Sequence, residues 1–261
     1  VEQARRVPFV VCAAGTDNQF VNTLDVRSAS QSTVWMCKMQ SSPLDVIKMK
    51  MTDVAGAVST YFAFNGMAYG FWGKLLFDME SCRACGVARV FGCVVANFFC
   101  TGCKRYDVDL CWVDPRQVLS EKELANLEFP DDSQPIHAGA TAAKSSASSS
   151  MHNGEHETEA SAAAAAGRRS IQWKSFRGDV EFVNGIGLDK RSSPETKMAD
   201  GRIDLAFLQS VNRPQMIWYV LSAVANQKFA PNDDSFSFQK VQAFSLRPSN
   251  AKHSWWNVDG Q

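Results

Sequence analysis

The sequence predicts the end of an α/β domain joined to a mostly antiparallel β domain. Three observations lead there: a β-branched run closed by a glycine turn near the N-terminus, alternation of apolar and polar residues from Leu44 onward, and one helical interruption among those alternating segments. With 261 residues, 45% of them hydrophobic, the chain can build one large core or two modest ones, and a fully disordered chain is excluded.

The first element is Pro8-Phe9-Val10-Val11-Cys12, a short apolar run of the kind buried in a parallel strand. It stops at Gly15. Thr16, Asp17 and Asn18 prefer helix N-caps, and Phe20, Val21 and Leu24 continue as an amphipathic helix start. In such a turn the backbone N–H groups face an arriving anion, which suits a nucleotide phosphate, although plain strand-to-helix connections read the same way. From Leu44 the period becomes two: Leu44, Val46, Lys48, Lys50, then Val58, Thr60, Phe62, Phe64. Ser81–Phe99 reads as the main helical interruption. Strands resume at Tyr106–Val113, Val180–Asn184, Ile203–Gln209 and Ser235–Leu246, with an apolar helix at Pro214–Ala225. The resulting division is residues 1–40 as the end of the α/β unit and 41–261 as the β domain. Between about 130 and 170 the composition collapses to Ala, Ser, Thr, Gly and Glu, which buries too little apolar surface to order itself and reads as a disordered insertion, a spacer rather than a regulatory loop.

Twenty-seven basic residues balance twenty-seven acidic ones, so no global field favours nucleic acid or an anionic surface, and a partner must be chosen by a site. The apolar stretches at 90–100 and 216–224 fall short of the roughly 18–20 residues of a membrane span. The start at Val1-Glu2-Gln3 and the stop at Gln261 in a strand-like stretch read as a piece of a longer protein. Eight cysteines without a secretory signal fit a reducing, cytoplasmic compartment. Cys82-x-x-Cys85 and Cys100-x-x-Cys103 have the spacing of a tetrahedral zinc site. Against zinc, Gly86–Gly92 and Val94–Phe99 read as one continuous buried element, which leaves free thiols as the simpler account.

Four segments, taken in order, resemble the lipid kinases that act on ceramide, sphingosine and diacylglycerol, with ceramide kinases nearest in spelling. The first is Ala14-Gly15-Thr16-Asp17-Asn18, similar to a Pro-Ala-Gly-(Ser/Thr)-x-Asn nucleotide loop, with Ala13 in place of the proline and Asp17 where many members have glycine. Next comes Ala68-Tyr69-Gly70-Phe71-Trp72-Gly73, then Glu80, Arg83 and Gly86-Val87-Ala88-Arg89, which looks like Tyr-Gly-Phe-Tyr-Gly followed by Leu-Gly-Leu-Ala-Arg. The third is Asp200-Gly201-Arg202-Ile203-Asp204-Leu205, whose two aspartates read as structural. His253-Ser254-Trp255-Trp256-Asn257-Val258-Asp259-Gly260 looks like Ser-Ser-Trp-Asn-x-Asp-Gly-Glu, with Gln261 in the acidic position.

The resemblance implies a β-sandwich for the second domain, ATP and Mg2+ as cofactors, and a membrane lipid, reached by peripheral docking, as substrate. It implies that Gly15, Thr16, Asp17 and Asn18 cradle the nucleotide, that Arg83 and Arg89 meet its phosphates, and that Asp259 and Gly260 return to the ATP or metal side. Arginine suits phosphate because its fork of donors is fixed and always charged; without the resemblance both arginines read as solvated charges on a helix face. The general base is expected in a Gly-Gly-Asp-Gly segment upstream of residue 1, so this piece alone is expected to be inactive. Relatives place an aspartate for the lipid head group just after Tyr-Gly-Phe, where this chain has Lys74, Leu75 and Leu76; either Asp78 or Glu80, the nearest carboxylates, takes over, or the head group differs and Lys74 meets an anionic group on it. Ceramide is therefore the expected acceptor through motif spelling alone, with sphingosine, diacylglycerol, or a non-catalytic lipid-binding or zinc-stabilised module as alternatives.

Overall fold

The computed structural model describes residues 26, 28–38, 43–86, 88–101, 104–130, 170–186, 199–209, 211–226, 235–250 and 254–259. The nucleotide loop at 14–18, the insertion at about 130–170, and Gly260 lie outside them. Nine strands and five α-helices are described: α1 (Ala29–Cys37), β1 (Ile47–Thr52), β2 (Val58–Ala63), β3 (Gly66–Gly70), α2 (Phe71–Ser81), α3 (Ala88–Ala96), β4 (Tyr106–Val113), α4 (Glu121–Ala125), β5 (Trp173–Ile186), β6 (Ile203–Gln209), α5 (Arg213–Asn226), β7 (Phe236–Val241), β8 (Phe244–Pro248) and β9 (Trp256–Val258). A 3-10 turn at Arg83–Cys85 and a π-helical turn at Asn97–Thr101 flank α3.

All pairings are antiparallel. β1 and β2 form a separate hairpin whose loop is tied by the Asp53 carboxylate, which accepts the Ala55 and Ala57 amides at 2.8 Å each. The other seven strands share one network built on the 14-residue β5. The first half of β5 pairs with β4, which carries β8; its second half lies between β3 and β6, which carry β9 and β7. The register with β6 shifts between Val180 and Phe182, a bulge that re-aims the strand where it changes partners.

Alternation explains the packing. Tyr106, Val108, Leu110 and Trp112 of β4 point one way and join Met67, Tyr69, Val183, Leu205 and Phe207 in one core. β4 and β6 share no hydrogen bonds, yet the Trp112 and Phe207 rings are 5.8 Å apart, so the β4 part of the sheet faces the β6 part across that core. The opposite face of β5 and β6, through Phe182 and Leu208, receives Phe71 and Leu75 of α2, Cys93 of α3, Phe98 and Met216 of α5.

Among the described residues the expected strands are found, with three differences; the strand expected at Pro8–Cys12 and the helix start from Phe20 to Leu24 lie outside them. The helical interruption begins at Phe71, ten residues before Ser81, because Gly70 breaks the strand there. The Ser235–Leu246 strand is two strands, β7 and β8, turned at Gln242 and Ala243. The run from Gly86 to Phe99 is not continuously buried: Cys93, Asn97 and Phe98 face the core, while Phe91 is 73% and Phe99 79% exposed. A helix hides only one face, and this apolar run leaves an apolar stripe on the other.

Candidate functional site

The β3–α2 junction is the centre of the candidate site. Gly70 ends β3 with φ at 78°, and a Cβ there would lie 2.7 Å from the Glu181 carbonyl oxygen, so only glycine fits. Its amide donates to the Trp255 carbonyl at 3.1 Å. Gly73, one turn into α2, sits under the same carbonyl, where a Cβ would come within 2.4 Å. The Gly-x-x-Gly spacing thus lets the chain before β9 lie directly on α2. Tyr69 then stacks at 4.8 Å from Trp256, and its hydroxyl is 3.4 Å from that of Ser254.

Trp255 covers the exposed side of α2. Its ring centroid is 5.1 Å from the Lys74 ammonium and 5.0 Å from the Phe77 ring. Lys74 donates to both oxygens of Asp78, at 2.9 and 2.8 Å, one helical turn on. Asn97 donates from one side-chain nitrogen to Asp78 at 2.8 Å and to the Cys93 carbonyl at 2.9 Å. Lys74 and Asp78 were each expected to meet a lipid head group; they meet each other first, so a head group would encounter a neutralised pair roofed by an indole. Glu80, the third such residue, holds Arg83 at 2.6 Å in an ion pair at the surface, a kind worth about 0–1 kcal/mol.

Arg83 stands in the 3-10 turn between α2 and α3, and Arg89 in the first turn of α3. Arg89 is half-buried, and its Nε is a buried donor without a hydrogen-bond partner. An orphaned guanidinium donor fits an arriving phosphate oxygen. Asp259 does not fit a metal in the same way. Its Oδ1 accepts the Asn65 and Gly66 amides at 2.8 and 3.0 Å, and its Oδ2 the Phe64 amide at 2.8 Å. With φ at 52°, Asp259 ties the end of β9 to the β2–β3 turn. The described residues therefore leave a buried guanidinium donor unpartnered at Arg89 and no free carboxylate at Asp259 for Mg2+.

Asp200 and Asp204 both reach the Lys240 ammonium, at 3.4 and 3.3 Å, in keeping with structural roles. Cys82 and Cys85 are exposed free thiols, while the side chains of Cys100 and Cys103 lie outside the described residues. Among the described residues no group of three or more His, Cys, Asp or Glu is arranged to hold a metal.

Among the solved structures that resemble this chain are three of one kind. They are proteins assigned as diacylglycerol kinases of Bacillus anthracis str. Sterne, with 12%, 11% and 12% identity and TM-scores of 0.48, 0.46 and 0.48. The matches cover 95%, 94% and 95% of this chain and 59%, 57% and 60% of those chains. No family model matches the sequence, and no curated protein sequence does.

Two residues of this region went unrecognised in the sequence. Asn97 is buried within the π-helical turn, and its signal was a single amide in the apolar run Val94–Phe99. Glu181 sits in the β5 bulge at 1% exposure, and neither carboxylate oxygen completes a hydrogen bond. Burial pushes its pKa up to about 7; the nearby Val211 amide and Arg105 pull down and Asp179 pushes up. Burial, with smaller contributions from Tyr69 and Glu181, pushes the neighbouring Tyr106 up to about 12. A carboxylate between Val180 and Phe182 in an apolar strand was the signal available.

Proposed function

We propose that this chain is the acceptor-binding part of an ATP-dependent lipid kinase that phosphorylates the primary hydroxyl of ceramide. The observation supporting this is that two segments resembling such kinases, Tyr69–Gly73 and Ser254–Asp259, meet in space across 185 residues of sequence, through the Tyr69–Ser254 and Gly70–Trp255 contacts. The two facing parts of the sheet correspond in this reading to the β-sandwich of those enzymes.

Phosphoryl transfer needs alignment, charge neutralisation and a proton acceptor, with little covalent work for the protein. ATP supplies the phosphoryl group. The lipid hydroxyl oxygen forms the new bond to the γ-phosphorus, the bond to the ADP oxygen breaks, and the hydroxyl proton passes to a base expected in the Gly-Gly-Asp-Gly segment. In this chain Arg89, joined by Arg83, meets phosphate oxygens. The Lys74–Asp78 pair under Trp255 meets the polar head: the carboxylate accepts from a hydroxyl or amide N–H, and the ammonium donates to an amide oxygen. The apolar stripe of Phe91, Val95 and Phe99, spaced by four residues, supports shallow contact with a lipid surface. No described helix is long and apolar enough to cross a membrane.

The test is ATP-dependent phosphorylation of ceramide, sphingosine and diacylglycerol, each in mixed micelles, by the whole protein. Transfer to ceramide is expected. Transfer to one of the others alone would reassign the acceptor, and turnover of none would overturn the kinase reading.

A further inference from the structure

We propose that the outer face of the β1–β2 hairpin docks on anionic lipid surfaces, with Lys48 and Lys50 meeting the head groups while Val54, Val58 and Phe62 enter the interface. The hairpin stands apart from the seven-stranded network, and its register sorts its residues into two faces. Ile47 and Ala63 are opposite each other and buried, and Met49, two residues on, packs against the main core, so this is the inner face. The alternate pairs, Lys48 with Phe62, Lys50 with Thr60 and Thr52 with Val58, form the outer face, and each of these residues is exposed. Phe62 is 62% and Val58 63% exposed, and Val54 at the tip is 85% exposed, so apolar groups continue from the strands to the end of the hairpin.

The tip has little backbone left to desolvate. The amides of Asp53, Ala55, Gly56 and Ala57 all donate within the loop, at 2.8 to 3.0 Å, so few backbone donors need water when the tip enters a lipid interface. The charge on the face is unopposed. Among the described residues neither Lys48 nor Lys50 has an ion-pair partner. The nearest carboxylates in sequence serve backbone amides: Asp45 accepts the Gly201 amide at 2.7 Å, and Asp53 accepts those of its own loop. The chain as a whole is neutral, so attraction to an anionic surface has to come from such a site. Each lysine has an apolar stem that can lie along the face while its ammonium reaches outward to the head groups. Lipid fits this mixture better than other occupants do: nucleic acid would leave the valines and the phenylalanine uncovered, and a second copy of the hairpin would set lysines against lysines. Docking of this face requires no phosphoryl transfer, so its test and that of the kinase reading fail separately.

The experiment measures sedimentation of the whole protein with vesicles of phosphatidylcholine alone, and of phosphatidylcholine and phosphatidylserine in equal parts, at low and high salt. The uncharged vesicles are the reference, since the apolar stripe of α3 supports contact with either kind. The wild type is expected to bind the mixed vesicles on the order of tenfold more strongly than the uncharged ones at low salt, and to lose that gain at high salt. Lys48→Gln with Lys50→Gln is expected to abolish the gain and keep the binding to phosphatidylcholine. Phe62→Ser is expected to weaken binding to the mixed vesicles about tenfold at an unchanged melting temperature. Absence of the gain in the wild type, the same gain in the lysine variant, or a Phe62→Ser protein that binds as the wild type does would overturn the proposal. A lowered melting temperature in Phe62→Ser, or a change of oligomeric state in either variant, would also overturn it, by showing that protein covers this face.

Discussion

Asp259 and Gly66 are bound to each other twice: the Gly66 amide donates to Asp259 Oδ1 at 3.0 Å, and the Asp259 amide donates to the Gly66 carbonyl at 3.1 Å. With the Asn65 and Phe64 amides added, one carboxylate anchors the β2–β3 turn to the last described strand. This anchoring makes Asp259 a lock on the turn.

Asp259→Asn replaces one carboxylate oxygen with an amide donor facing backbone N–H groups. Charge-assisted bonds of this kind make the expected loss about 1–3 kcal/mol, read as a lower urea midpoint at unchanged slope. Unchanged stability with lost ATP binding would instead place Asp259 at the nucleotide.

Two glycines should respond in opposite directions. Gly73→Ala drives a Cβ to within 2.4 Å of the Trp255 carbonyl, and overpacking of this kind costs about 1–3 kcal/mol. Gly92→Ala, in the interior of α3 with nothing within 4 Å of the new Cβ, should stabilise by about 0.5–1 kcal/mol. Chemical denaturation of both variants checks the pair, and a stable Gly73→Ala would contradict the close approach of Trp255 to α2.

Glu181 should make stability fall as pH rises toward neutrality. Its folded pKa is raised from 4.5 to about 7, so the folded state holds the proton more tightly than the unfolded chain. The resulting stabilisation is complete below about pH 4.5 and is lost as pH climbs through about 7, on the order of 3 kcal/mol in all. Glu181→Gln should flatten that slope and be the more stable protein above pH 7. Urea midpoints between pH 5 and 8 measure it; parallel curves for the two proteins would show that Glu181 finds a partner when charged.

Two strands were legible and are found as read: Tyr106–Val113, whose first residues alternate, and Ile203–Gln209, a short apolar run buried on both faces. The start of α2 was missed although Trp72, Leu75, Leu76 and Met79 have the i, i+3, i+4, i+7 spacing of a helix face and Gly70 marks the break. Burial in α3 was misjudged as well. Hydrophobicity alone does not say which face a helix hides, and Phe91 and Phe99 fall on the open one. The site was legible as motifs but not as contacts: nothing in the spelling shows that Lys74 spends its charge on Asp78, or that Asp259 faces three amides.

The open face of α3 should bind lipid surfaces. Phe91→Ser with Phe99→Ser is expected to lower sedimentation with phosphatidylcholine vesicles at least tenfold and to leave the melting temperature unchanged, because these rings are largely exposed. A lowered melting temperature would mean that the rings are covered by protein.

The division of labour between Lys74 and Arg89 is tested most directly by steady-state kinetics of Lys74→Ala and Arg89→Ala in the whole protein, varying lipid and ATP separately. The account predicts that Lys74→Ala raises the KM for the lipid about tenfold and spares the KM for ATP, while Arg89→Ala does the reverse. Equal effects of both substitutions on both substrates, tracking lost stability, would contradict it.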